Sequence, residues 1–325
     1  MNAPDLRSLR GARAVVTGGA GFLGSHMVDA LVDAGADVIA FDSLAEGARE
    51  NVNPAARLIV GDIRDDIALR DAVAGADYLL HFGAIASVPR ASQDPALSYD
   101  INTMGTVHVL DALRRHAPKA TMVLASSASV YGNSATPIRF EETAPTIAPS
   151  PYASTKLLAE AAVDDFTRNF GVDGRVVRFT NVIGPRAPRY ILFDLYRKVR
   201  AATDHIELLG SGNQQRDFLY CTDAAAAVLA VIAVNNPPHR IYNVPGKQPI
   251  TVRAFAERVA AIMGKPYLRI ETSGATWLGD VDYLLANDTR IREVIGLPEV
   301  SLDEGIKRFV AWMDARMPAV GAQGA

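Results

Sequence analysis

Short runs of β-branched and other apolar residues recur through the first half of the chain: ARAVVT, ADVIAFD, ARLIVGD, DYLLHF, TMVLASS and GRVVRF. Each has the length and bulk of a strand buried on both faces, where apolar residues need not alternate with polar ones. Between them lie helix-length stretches at 22 to 34, 95 to 116 and 151 to 170. The last is opened by Pro151, whose missing N–H would have no partner in a first helical turn. Strands alternating with helices predict an α/β fold, a doubly wound parallel sheet with helices on both faces. After about residue 180 the regularity breaks. The segment GPRAPRY is rich in proline and arginine, and helices at 189 to 202, 251 to 263 and 301 to 313 are separated by short strands. This pattern predicts a first domain over 1–180, to which a segment of about 213–245 returns, and a smaller, discontinuous C-terminal α/β region over 181–212 and 246–318. No internal repeat is visible, and the tail 319–325, AVGAQGA, is predicted to be disordered.

Composition narrows the partners. The 325 residues are 49% hydrophobic and 21% charged, enough to bury a real core. A net charge of -3 without a run of lysine or arginine gives no footprint for nucleic acid or an anionic membrane. The longest apolar run, 224 to 234, is too short to cross a bilayer, and the N-terminal segment enters its first strand without a signal-peptide core. The expectation is a cytoplasmic protein acting on a small molecule. One cysteine, Cys221, excludes an internal disulfide, and six histidines without ligand spacing argue against a metal site. His26 and His81 are read as packing or solvated residues.

The candidate chemistry begins with TGGAGFLGSH, where Gly18, Gly21 and Gly24 lie between the first strand and the first helix. In such a turn glycine permits the tight bend, lets a pyrophosphate approach the N–H groups of the helix N-terminus, and allows helix and strand to pack closely. Taken alone, a glycine-rich turn is only a turn. The following strand, however, ends in Asp42, placed to accept hydrogen bonds from both hydroxyls of an adenosine ribose and to repel a 2'-phosphate, which favours NAD over NADP. Asp62, at the end of the next strand, either reaches the adenine or is a loop acid.

A second constellation lies in PYASTK, where Tyr152 and Lys156 are four positions apart on a predicted helix and so face the same side. Elsewhere that spacing marks a surface pair. A tyrosine of ordinary pKa about 10 needs roughly 4 kcal/mol from neighbouring positive charge to ionise near pH 7. Lys156 and an oxidised nicotinamide are the candidates to supply it. The tyrosinate would take a proton from a sugar hydroxyl as hydride leaves the same carbon, with Ser127, at a strand's carboxyl end, bonded to the same oxygen.

With these residues in place the chain resembles the extended short-chain dehydrogenase/reductases, and within them the NAD-dependent sugar-nucleotide epimerase/dehydratase group. The resemblance runs through TGGAGFLGSH, FDSL, VGDI, HFGAIASVPR, DINTMGT, SSASVYG, PYASTK, TNVIGPR, GSGNQQRDFLY and SLDEGIKRFVAWM. It implies a Rossmann-type NAD-binding domain followed by a substrate-binding region. It places Ser127, Tyr152 and Lys156 on catalytic positions. Gly18, Gly21, Phe22, Leu23, Gly24, Asp42, Ser43, Asp62 and Ile63, with Tyr152 and Lys156, fall on the NAD site. Asn102 matches a residue that holds the active-site helix. Ser87, Asn181, Arg189, Arg216 and Trp277 are implied in binding a nucleotide-diphosphate sugar, and a homodimer is implied through the helices at 95–116 and 151–170.

Four departures qualify this picture. Gly83 stands where an alanine is usual. Trp277 replaces an arginine that clamps the substrate pyrophosphate, so that either another cation, Arg189, substitutes or the activated sugar is held differently, and the segment Arg186 to Phe193 is short. After Ser127 come Ala128 and Ser129, where related 4,6-dehydratases carry an acid that takes the C5 proton. The expectation is therefore an epimerase that inverts C4 of a nucleotide sugar through a transient 4-keto intermediate. A 4-ketoreductase or dehydratase of the same family, and a non-catalytic NAD-binding regulatory protein, remain as alternatives.

Overall fold

The computed structural model describes residues 6–275, 280–296 and 299–317. Trp277 and the tail 319–325 lie outside them. The chain forms strands β1 (Arg13–Thr17), β2 (Asp37–Asp42), β3 (Arg57–Val60), β4 (Tyr78–His81), β5 (Thr121–Ser127), β6 (Asp173–Phe179), β7 (Asn181–Ile183), β8 (His205–Leu208), β9 (Gln215–Tyr220), β10 (Ile241–Val244), β11 (Pro249–Thr251), β12 (Arg269–Thr272) and β13 (Tyr283–Leu284). Seven of them make one sheet in the order β10-β6-β5-β4-β1-β2-β3, and every pairing in it is parallel. The order reverses direction at β1, between β4 and β2. Crossovers there leave to opposite faces and open a crevice at the strands' carboxyl ends.

Adjacent residues of single strands enter different cores, which is why these strands read as continuous apolar runs. Val16, Leu80, Val123 and Val177 pack with Met27, Val28 and Leu31 of the helix Phe22–Asp33 and with Val228 and Val231 of Cys221–Ala233. Their neighbours Val15, Leu79, Met122 and Val176 pack on the other face against Leu69, Val109, Leu113 and Val163.

The second region has its own core, in which Leu192, Tyr196 and Val199 of Ile191–Ala201 meet Phe218, Phe255, Ile306 and Phe309. Its central strand is β9, paired with β7, β11 and β13. Leu219 of β9 already packs in the core of the main sheet, and the helix Cys221–Ala233 follows it there. One boundary differs from the sequence pattern. The stretch read as a helix from 95 to 116 is Pro95–Tyr99, a π turn over Asp100–Met104, and Gly105–His116.

Candidate active site

A cavity of about 890 Å³ runs along the carboxyl ends of the main sheet, from Asp42 past Gly21 to Ser127 and Tyr152, and on to Arg216 in the second region. The glycine turn forms its floor. Gly18 has φ of +68°, and a Cβ on it would stand 2.7 Å from the Phe82 carbonyl carbon and the Gly83 nitrogen. A Cβ on Gly24 would fall 2.0 Å from the Gly18 oxygen, so this glycine lets the helix lie on the turn. The helix Phe22–Asp33 begins at Gly21 with no side-chain cap, leaving the N–H groups of its first turn, with Phe22 and Leu23, on the cavity wall.

Asp42 is buried at the end of β2 and is fixed by backbone donors, Ala20 N–H to Oδ2 at 2.9 Å and Leu44 N–H to Oδ1 at 2.7 Å. A carboxylate has about four lone-pair sites, so two remain for a ribose. Ser43 lines the same wall. Asp62 is gripped by Arg64, with Nε at 3.0 Å and Nη2 at 2.6 Å, and Arg64 holds its carboxyl below the usual carboxylate range. Ile63 packs under the cavity, where a Cβ on Gly105 would reach within 2.5 Å of its Cδ1. An open helix N-terminus, a glycine floor and an anchored carboxylate fit a dinucleotide.

Ser127 ends β5 and accepts from Ser129 N–H at 3.2 Å. The helix Pro151–Phe170 is capped by Ser150, whose Oγ accepts from Ala153 N–H, and it brings Tyr152 and Lys156 to the same wall one turn apart. Ser127 and Tyr152 line the same cavity wall. Lys156 is buried and donates from Nζ to the Ala125 carbonyl at 2.8 Å. Burial pushes its pKa down to about 8, with the nearby Glu160 carboxylate opposing. Burial also holds Tyr152 above the ordinary tyrosine range, reinforced by Tyr190 and opposed by Ser127.

Behind these groups lies a chain of neutral hydrogen bonds. Asn102, in the π turn, accepts from Ile85 N–H at 2.7 Å and donates to Ile85 O and to Thr155 Oγ1, both at 3.0 Å, tying the cavity wall to the helix of Tyr152. Thr106 donates to Asn102 O at 2.6 Å, so it accepts from Nε2–H of His81 at 3.0 Å. Burial, with Lys156 nearby, takes the pKa of the imidazole down to about 3, so the ring is neutral. With Nε2–H donating to Thr106, its Nδ1 accepts from the Thr17 hydroxyl, 2.6 Å away, which itself accepts from Gly83 N–H at 3.2 Å.

The expected substrate residues divide. Asn181 lines the cavity and its Nδ2 is buried without a partner, as is the hydroxyl of Ser129. Ser87 lines the cavity while capping Val88–Gln93. Arg216 also reaches it, but its Nη groups are spent on Asp280 at 3.0 Å and on the carbonyls of Gln215, Val281 and Asp282. Arg189 pairs with Glu46, which also takes Arg90. Arg189 lines the same cavity from this pair, beside the loop after Asp42. Glu46, Tyr190 and Asp280 line the cavity and carry no motif signal of their own. Among the described residues no cluster of three or more His, Cys, Asp or Glu could hold a metal ion, and no helix is long and apolar enough to cross a membrane.

Residues 14–245 match the NAD dependent epimerase/dehydratase family. A putative UDP-glucose 4-epimerase of Methanocaldococcus jannaschii is 31% identical over 313 residues, covering 92% of this chain and 97% of its own. The UDP-glucose 4-epimerase of Thermus thermophilus, solved with NAD, superposes with a TM-score of 0.85 at 29% identity over 95% of this chain and 100% of the other. A dTDP-glucose 4,6-dehydratase from Streptomyces venezuelae, solved with NAD and TYD, gives 0.84 at 27% identity over 94% and 97%. Matches of this extent span both the dinucleotide floor and the second region, and the chain belongs to the NAD dependent epimerase/dehydratase family.

Proposed function

We propose that the protein is an NAD-dependent epimerase that inverts C4 of a nucleotide-diphosphate sugar through a transient 4-keto sugar. Bound NAD would supply the hydride acceptor, and then the donor, at its nicotinamide. The protein's residues do the rest. Asp42 holds the adenosine ribose, and the open helix start at Gly21 faces the pyrophosphate. Tyr152 takes the proton from the sugar O4 and later returns it, with Ser127 bonded to the same oxygen. Lys156, with its pKa pushed down to about 8, keeps positive charge one helical turn away at neutral pH. Asn181 and Arg216 are assigned to the nucleotide diphosphate, Arg216 after releasing Asp280. Ser87, the family's substrate position before the capped helix Val88–Gln93, flanks the sugar.

The observation that carries the choice among family reactions is the turn after Ser127. Ala128 is buried and Ser129 offers only an unpartnered hydroxyl. Elimination of water across C5 and C6 needs an additional acid and base, and neither side chain ionises at neutral pH. Removing and returning one hydride and one proton needs only Ser127, Tyr152, Lys156 and the cofactor. The same reading makes the protein a cytoplasmic homodimer paired through the segments 95–116 and 151–170, to be checked by sedimentation.

The test is incubation of the purified protein with UDP- and dTDP-linked hexoses, reading products by mass and proton NMR. A product of unchanged mass inverted at C4, without net NADH, is expected. Loss of one water would overturn the assignment in favour of a dehydratase. Stoichiometric NADH oxidation on a 4-keto sugar, with no isomerisation, would favour a reductase.

A further inference from the structure

Tyr190 occupies a backbone conformation that its side chain disfavours. Its φ of 81° and ψ of 170° lie where glycine is at ease and any residue with a Cβ is strained. Of the described non-glycine residues with positive φ, Leu44, Arg186, Tyr190 and Asn236, it is the one that lines the cavity. Local structure does not ask for a tyrosine there. It precedes the helix Ile191–Ala201 without giving it a side-chain cap, and it remains 38% exposed.

The loop that carries it is tied to the first domain by the residues just before it. The Pro185 carbonyl meets His26 Nε2 at 3.0 Å, and Arg186 pairs with Asp29 at 2.6 Å. Arg189 lies 5.8 Å from the Tyr190 ring centroid while paired with Glu46. The ring itself stands 6.4 Å from that of Phe22, at the start of the dinucleotide helix. Tyr152 lines the same cavity.

A phenol in this position offers a flat apolar face and one hydroxyl, the two features that a hexose ring presents in complement. Beyond the Arg189–Glu46 pair, the cavity also offers neutral polar groups: Ser127, Tyr152, and the unpartnered atoms Ser129 Oγ and Asn181 Nδ2. The cations that line the cavity are all engaged. Arg90 and Arg189 are on Glu46, Arg216 is on Asp280, and Lys156 and Lys198 are on the carbonyls of Ala125 and Glu207. A sugar carboxylate here would lose its water without gaining a free cation, and it would oppose the ionisation of Tyr152.

Resting on the nucleotide-sugar reading of the site, we propose that Tyr190 is a specificity-determining residue. It packs the hexose ring against Ser127 and Tyr152 and selects a neutral hexose over a uronic acid.

Two variants test this with NAD-loaded protein. Calorimetry would compare UDP and dTDP, their glucose and galactose conjugates, and UDP-glucuronate. Tyr190→Gly should lose at least ten-fold in affinity for the neutral conjugates, keep the affinity for the free diphosphates, and unfold at an equal or higher temperature because the strain is gone. Tyr190→Phe, which keeps the flat face and loses only the hydroxyl, should lose less. Undiminished hexose affinity in Tyr190→Gly, with turnover intact, would overturn the proposal while leaving the epimerase reading standing. So would tighter binding of the glucuronate than of the neutral sugars by the unmodified protein. If the unmodified protein binds free diphosphates and their conjugates equally, or binds none, the nucleotide-sugar reading fails and this proposal with it.

Discussion

Asp42 and Arg216 face the same cavity from opposite ends and are held in opposite ways. The carboxylate is fixed by two backbone N–H groups, those of Ala20 and Leu44, and the position of these groups follows from strand β2 and the glycine turn. It keeps acceptor capacity for a ligand. The guanidinium is held by a carboxylate and three carbonyls, which take the donors of both Nη groups. Burial lowers its pKa and Asp280 opposes that shift. One end of the cavity can receive its ligand without rearrangement, whereas the other must exchange partners first. A cofactor that stays through a catalytic cycle suits the first arrangement, and a substrate that must leave suits the second.

The largest effect should arise where the two ends meet. Tyr152→Phe keeps the ring and removes the acid/base, so turnover of an accepted nucleotide sugar should fall about 100-fold or more. NAD bound per protein, read from absorbance after denaturation, should be unchanged, since Asp42 and the glycine floor are untouched. A variant that keeps near-normal turnover would remove Tyr152 from the chemistry. One that loses NAD would mean the cofactor end is not independent of the catalytic helix.

Acid should undo the preset end through His81. Its folded pKa is depressed from 6.5 to about 3, so below pH 6.5 the unfolded chain binds a proton that the folded chain refuses. Stability from this group is complete above that pH and is lost as pH falls toward 3, at about 1.4 kcal/mol per pH unit. Between pH 6.5 and 4.5 the loss comes to roughly 2 to 3 kcal/mol. Urea unfolding across this window should give a shallower pH dependence in His81→Asn than in the unmodified protein. Parallel slopes would mean that the imidazole is already protonated between its two threonines.

The same contrast explains what could be read along the chain. Strands β1, β2, β4, β5 and β6 are buried on both faces, so their apolar runs announce them, and the glycine turn and Asp42 follow from the strand ends. Tyr152 and Lys156 share a helix face by spacing alone. The π turn at Asp100–Met104 was hidden because its residues continue the helical pattern on either side. The ion pair of Arg216 with Asp280 joins positions 64 apart, and Arg189 reaches Glu46 across 143. No periodicity encodes such partners. Tyr190 was hidden for another reason: its strained φ runs against the residue's own preference.

A smaller effect should separate the glycines of the floor. In Gly24→Ala the new Cβ would meet the Gly18 oxygen, a backbone atom, at 2.0 Å. Overpacking of this kind costs about 1 to 3 kcal/mol, and it should appear as a lower melting temperature with weaker NAD binding. Gly75→Ala, where nothing lies within 4 Å but φ is +69°, should cost a similar or smaller amount of stability without touching NAD. If both variants bind NAD alike, the close approach at Gly24 does not shape the cofactor site.

The finest test is Asp280→Asn, which keeps the side chain's size and removes its charge. The pair it breaks is only 11% exposed on either side, so Arg216 would remain buried with its three carbonyls but without its carboxylate. Such a guanidinium gains more from a diphosphate than one already neutralised, because the incoming anion no longer competes with Asp280. We therefore expect KM for the nucleotide sugar to fall by about three- to ten-fold, as for an interaction of roughly 1 kcal/mol. Little change in kcat or in NAD affinity should accompany it, together with a small loss of thermal stability. A rise in KM would have a different meaning: Asp280 would be orienting Arg216 for the diphosphate, much as the N–H groups of Ala20 and Leu44 orient Asp42. Both ends of the cavity would then be preset, and the contrast between them would be one of side chain against backbone alone.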